Sequence, residues 1–159
     1  MNCHVEKEWT CCGFLCLSVT TGLGHRCGYV GIDRYHRLYG VAHSKESDLL
    51  KVVNSGIKGI TPENFFNVHG GLTFADKRKE YPDLWFFGFD CAHAGDLPDE
   101  SLMENLPDYT KKVLLGRGTI SDGGTVWTLD MVVAECESLA RQLNEVMSGP
   151  VFIVDEVEL

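Results

Sequence analysis

The clearest pattern in the chain lies between Leu129 and Met147. Val132, Cys136, Leu139, Leu143 and Val146 recur at steps of four and three, and Val133 and Ala140 widen the same stripe. That period predicts an amphipathic helix with one face toward a core. Thr128 is its expected N-cap, Asp130 suits the positive end of the helix dipole, and Gly149-Pro150 ends it. Elsewhere the apolar runs are short and β-branched or aromatic. Residues 4–9, Phe14–Thr20 (FLCLSVT) and Arg26–Ile32 (RCGYVGI) predict strands, with Thr21–Gly24 (TGLG) as the turn joining the last two. Gly28 and Gly31 interrupt the third run, as glycines do where another element approaches closely.

Further along, Ser44–Val53 predicts a short helix and 57–62 a connector. Phe65–Phe74 (FFNVHGGLTF) has strand-like ends around Gly70-Gly71. Asp76–Asp83 (DKRKEYPD) then links it to an apolar run from Leu84, LWFFGFD. Leu97–Pro107 and Gly116–Gly124 predict loops, Val113–Leu115 a brief apolar patch, and Val151–Val157 a last strand. The sum is a single α+β domain over 1–159. It has an antiparallel sheet of about five strands with the long helix on one face. The apolar last strand and the aromatic content predict a homo-oligomer.

Composition narrows the functional classes. A formal charge of −9 argues against a nucleic-acid polymer as partner, while leaving room for a small anion held by local cations. No run approaches a membrane span. The start of the chain, with His4, Glu6, Lys7 and Glu8, lacks the pattern of a signal peptide. The seven cysteines are therefore expected to be reduced thiols, mostly buried. A zinc site built from Cys3, His4, Cys11, Cys12 and Cys16 is the weaker reading, because no paired C-x-x-C spacing supports it.

Candidate chemistry collects where LWFFGFD leaves the core and becomes Asp90, Cys91, His93 and Asp96. If FFNVHGGLTF and LWFFGFD pair as a hairpin, His69 comes to the same place. Three uses fit this cluster. It could be a divalent-metal centre from His69, Asp90, His93 and Asp96, serving a hydrolase of a phosphate-containing ligand. It could hold a Cys91 nucleophile beside a histidine. It could be a pocket that binds without chemistry and needs no cofactor. In the last case Tyr29, His36, Tyr39, His69, Gly70, Gly71, Asp90 and His93 line the pocket, and Arg34 or Arg37 meets the charge of a small anionic, nucleotide-like ligand.

The segments CGYVGI (27–32), LYG (38–40), VHGGLTF (68–74), FGFDCAHAGD (87–96) and AECESLARQL (134–143) resemble, in that order, a group of small bacteriophage-encoded proteins. Relatives often read G-H-P-L-Y-G where this chain has Tyr35 to Gly40, with Arg37 in place of the proline. The group has no settled activity. The resemblance implies a phage origin and action in the cytoplasm of the infected bacterial host. It is similar in style to counter-defence proteins that sequester or cleave nucleotide signals. The expected function is thus sequestration of a nucleotide-like ligand, with hydrolysis or inhibition of a host protein as alternatives.

Overall fold

The computed structural model describes residues 3–47, 49–50, 60–116 and 123–148, with Ser148 described by its backbone only. Five strands, β1 (His4–Cys11), β2 (Phe14–Thr20), β3 (Arg26–Ile32), β4 (Phe74–Arg78) and β5 (Tyr81–Asp90), form one antiparallel sheet in the order β1-β2-β3-β5-β4. A single helical turn, α1 (Pro62–Phe65), precedes β4. After β5 come β6 (Asp96–Leu97), a 3-10 turn at Glu100–Met103, α2 (Asp108–Leu115), β7 (Thr125–Val126) and α3 (Leu129–Ser148). The short strands β6 and β7 pair in parallel, away from the main sheet. This is the α+β architecture expected from the patterning. No helix among the described residues is long and apolar enough to cross a membrane.

The main core lies between α3 and one face of the sheet. Val132, Cys136, Leu139, Ala140, Leu143 and Val146 are buried there with Cys16, Val30, Ile32, Phe87 and Phe89. The helix begins as its sequence dictates, with Thr128 Oγ1 accepting from the Met131 amide at 3.3 Å. Gly28 accounts for the close approach. A Cβ there would overlap the Phe89 ring and lie 2.6 Å from Cys136 Sγ, so a side chain would displace both. The other face gathers Leu17, Val19 and Phe86 with Leu15, Tyr29, Phe74 and Tyr81. Tyr81 Oη on β5 donates to Glu8 on β1 at 2.7 Å, a side-chain tie across this face of the sheet.

One buried charge knits the elements together. Arg26 on β3 is 6% exposed. Its Nε and Nη2 donate to the two carboxylate oxygens of Glu6 on β1, at 2.8 and 2.9 Å. Its Nη1 donates to Asp99 Oδ2 at 2.7 Å and to the Trp127 carbonyl at 2.9 Å. These bonds hold Asp99 below the ordinary carboxylate value against the raising effect of burial, together with bonds from Ser101.

Several boundaries differ from expectation. FFNVHGGLTF is not a strand. Thr61 caps α1, accepting from the Asn64 amide, and Gly70 and Gly71 take φ of 69° and 82°, outside any strand. Strand β4 starts only at Phe74, and DKRKEYPD is mostly paired chain around a turn at Lys79-Glu80. The described part of 44–53 makes turns rather than helix, with the Leu50 amide donating to Ser47 O. The remainder of that segment lies outside the described residues. Val113–Leu115 belongs to the full helix α2. The Leu97–Pro107 loop carries the 3-10 turn. The expected last strand, Val151–Val157, and most of the Gly116–Gly124 loop lie outside the described residues. The seven cysteines are free. Cys16, Cys91 and Cys136 are buried, Cys11 and Cys27 half-buried, and Cys3 and Cys12 exposed, so fewer are buried than expected.

Candidate functional site

The segment before β4 is laid along α3 by two side chains of that helix. Gln142 both accepts from the Asn67 amide (2.8 Å) and donates to the Asn67 carbonyl (2.9 Å). Two turns earlier on the same helix face, Glu135 Oε1 accepts from the His69 amide at 2.6 Å. The left-handed Gly70 and Gly71 then reverse the chain, and the Gly71 amide closes onto Val68 O at 3.0 Å. The His69 ring is left facing the turn that follows β5.

That turn is built by its own aspartates. Asp90 Oδ1 accepts from the Ala92 amide at 3.0 Å, and Asp90 Oδ2 from Thr73 Oγ1 at 3.1 Å. Asp96 Oδ2 accepts from the His93 amide at 2.9 Å and lies 3.2 Å from His93 Nδ1. His69 Nε2 meets both oxygens of Asp96, at 2.9 and 2.8 Å. The two imidazoles stand edge to face, 5.3 Å between centroids. Trp127 stacks on His69 at 4.0 Å and 31°. The carboxylate is almost fully covered (side chain 4% exposed), whereas His69 and His93 are 24% and 31% exposed. The mouth of the site is therefore imidazole, with an anion beneath it.

Burial by itself would raise the Asp96 pKa. The bonds from His69 and from the His93 amide and ring outweigh it and hold the group below its ordinary value. Asp96 is thus an anion at neutral pH. Asp90 and Glu135 add two more carboxylates. None of the three is ion-paired to lysine or arginine among the described residues. One ligand atom from each of His69, His93 and Asp96 lies within 4.8 Å of the others. Imidazole and carboxylate in this ratio suit a divalent transition ion, and the exposed edge leaves coordination positions open.

Gly70 has two roles here. A Cβ on it would overlap the His93 ring, and its φ of 69° belongs to glycine. Gly70→Ala is expected to lose about 1–2 kcal/mol to the backbone alone and to expel His93 as well. Thermal unfolding together with the His93 ring resonances checks this.

The residues expected to line one pocket fall into three places. His69, Gly70, Gly71, Asp90 and His93 are together, with Asp96. Tyr29 is on the opposite sheet face, edge-on to Phe74 at 5.1 Å and beneath the Arg78 guanidinium at 4.8 Å. His36 and Arg37 sit at the far end of α3, on the loop that also carries Arg34 and Tyr39. The Arg37 amide reaches Met147 Sδ there (3.4 Å), and Tyr39 packs beside Trp85 (6.3 Å). Arg34 donates to the hydroxyl of its exposed neighbour Tyr35 at 2.8 Å. The helix residues that anchor the two ends, Glu135 and Leu143, are separated by about 12 Å of helical rise. One compact ligand does not touch both groups.

His36 is a core histidine. Its Nε2 donates to Leu143 O at 2.9 Å and its Nδ1 accepts from the Leu38 amide at 3.1 Å, which requires the neutral ring. Burial depresses its pKa below 6.5, although the Leu143 carbonyl opposes this. Below pH 6.5 the unfolded chain takes up a proton that the folded ring refuses. The contribution of His36 is therefore complete above that value and is lost as pH falls toward the folded pKa. Urea midpoints should fall as pH is lowered from about 7.5 to 5.5, and His36→Asn should flatten that dependence.

Cys91 does not serve as a nucleophile. It is 1% exposed, burial pushes its thiol pKa well up, and no histidine ring is hydrogen-bonded to its sulfur. Its carbonyl instead accepts from His25 Nδ1 at 2.8 Å. The weaker reading, a zinc site from Cys3, His4, Cys11, Cys12 and Cys16, is not supported, since these residues are not a group with metal-binding geometry among the described residues. Among the described residues, His69, His93 and Asp96 are the group with metal-binding geometry. Sequence reasoning missed Trp127 and Glu135. Trp127 sits immediately before the helix cap, and Glu135 is one acid among several on a polar helix face, so periodicity marked neither of them. Comparison with family models, with curated proteins and with solved structures finds no match to this chain.

Proposed function

We propose that His69, His93 and Asp96 hold one divalent transition ion, and that the centre hydrolyses a phosphate-containing ligand. The observation that carries the reading is the set of three ligand atoms within 4.8 Å around a covered carboxylate. Bonds of about 2.0–2.2 Å to a common ion place such atoms within roughly 3.5 Å of one another, so small side-chain rotations suffice. An ion held by these three residues would supply Lewis acidity toward water and phosphate oxygen. Asp90, whose Oδ1 lies 3.7 Å from His93 Nδ1, would be the neighbouring carboxylate to act as general base.

The local charge favours this use over direct anion binding. Three carboxylates with no lysine or arginine partner among the described residues repel a phosphate, and an ion between them and the phosphate would reverse that. Sequestration without turnover is the second reading at the same centre, since an ion can hold a phosphate without cleaving it. The resemblance of VHGGLTF and FGFDCAHAGD to phage proteins is the ground for proposing action in an infected bacterial cytoplasm, and the nucleotide-like ligand rests on analogy with counter-defence proteins.

The test is incubation with bis(p-nitrophenyl) phosphate and with cyclic dinucleotides, with and without added zinc or manganese. Metal-dependent product formation that Asp96→Asn abolishes is the expected result. Intact nucleotide retained only with metal favours sequestration. Turnover that ignores both metal and Asp96 contradicts the proposal.

A further inference from the structure

A second cluster of reactive side chains lies apart from His69 and His93, at the tip of the β1–β2 hairpin. Cys11 and Phe14 are the closing pair, and Cys12-Gly13 form the two-residue turn. Cys12 has φ of 55° and Gly13 has φ of 80°. Two left-handed central residues define a type I′ turn, whose first position favours asparagine, aspartate or glycine. Among the described residues, Cys12 is the one non-glycine with positive φ. Cysteine thus stands where local preference opposes it, on an exposed tip that packing does not explain.

The turn sets the two sulfurs 3.8 Å apart. Two sulfurs bound at about 2.3 Å to one soft centre are separated by about 3.8 Å where it is tetrahedral and by about 3.4 Å where it is pyramidal, so a small side-chain rotation closes the pair onto trivalent arsenic. Cys12 is exposed and Cys11 half-buried, so a small reagent reaches both from solvent. The tight hairpin holds them in this relation, so the second bond to a shared centre forms within one molecule at little entropic cost.

We propose that Cys11 and Cys12 form a vicinal dithiol site that chelates a single soft, thiophilic centre with two exchangeable positions, a trivalent arsenical being the representative ligand. With an arylarsenoxide, two S–H bonds and the As=O bond are exchanged for two As–S bonds. Both protons leave with the oxygen as water. Arsenic stays trivalent and the sulfurs stay at the thiol oxidation level, so no external oxidant or reductant is required.

The probe is phenylarsine oxide, added in equimolar amount to the reduced full-length chain, followed by intact-mass measurement. One adduct is expected, heavier by the reagent less one water. Excess glutathione should leave it in place, and 2,3-dimercaptopropanol should remove it. Cys11→Ser and Cys12→Ser should each lose the glutathione-resistant adduct, and Cys3→Ser should keep it. Cys12→Gly separates chemistry from folding, because glycine suits the left-handed position. This variant should melt no lower than the natural chain and still fail to retain the arsenical. Retention by Cys12→Gly or Cys12→Ser, or release from the natural chain by glutathione, overturns the proposal.

Discussion

Asp96→Asn is expected to reduce affinity for a divalent transition ion by at least about 100-fold while leaving the fold in place. Altering groups that merely orient metal ligands already costs 10–100-fold, and Asp96 is both a ligand and the group that orients the other two. Its carboxylate receives His69 Nε2, the His93 amide and His93 Nδ1 within 2.8–3.2 Å. Asparagine removes the charge and turns an NH2 toward rings that now share a purely accepting group. Trp127, 4.0 Å from His69, gives a direct readout. Nickel or cobalt bound at the site should quench its emission, and the quenching should vanish in Asp96→Asn and in Trp127→Phe. The asparagine variant should keep the near-native unfolding midpoint that a simple loss of structure would not.

Arg26→Met should have the largest effect on stability, about 3 kcal/mol. Removing one partner from a buried ion network costs about 3–5 kcal/mol, and the partial exposure of Glu6 and Asp99 moves the expectation to the lower end. Both partners have side chains 21% exposed, so water recovers part of their solvation. The variant also leaves the Trp127 carbonyl without its donor. Urea unfolding followed by far-UV dichroism measures the loss. Arg26→Lys should recover only part of it, since an ammonium cannot match the bidentate geometry to Glu6. Because Arg26 fixes the backbone of the residue that stacks on His69, quenching by cobalt should also weaken in Arg26→Lys.

Particular elements explain how much was legible in the sequence. Helix α3 was, because its apolar stripe is regular over about four turns and the buried residues follow it from Val132 to Val146. Strands β2 and β3 were, because their runs are β-branched and bounded by a turn. Helix α2 was not: of its residues Leu114 alone is buried, so DYTKKVLL carries too weak a stripe to recognise. Strand β4 was misplaced because Phe65 ends α1 and the left-handed Gly70 and Gly71 reverse the chain within a stretch that otherwise reads as a strand. The meeting of His69 with His93 and Asp96 followed from antiparallel pairing of the flanking segments. That pairing exists, although it begins later, at Thr73 and Phe74 against Gly88. The single large pocket did not follow. Tyr29 alternates onto the other sheet face, and the 33–40 loop is tied to the C-terminal half of α3 through His36. Periodicity assigns a residue to a face, and position along a helix axis depends on tertiary bonds such as that of His36 to Leu143.

Anomalous diffraction from crystals of the full chain grown with zinc tests the central claim most directly. The account predicts one strong peak bonded to His69, His93 and Asp96, with solvent or ligand completing the shell. Zinc found only at the hairpin cysteines, or absent while His69 and Asp96 keep their hydrogen bond, would contradict it.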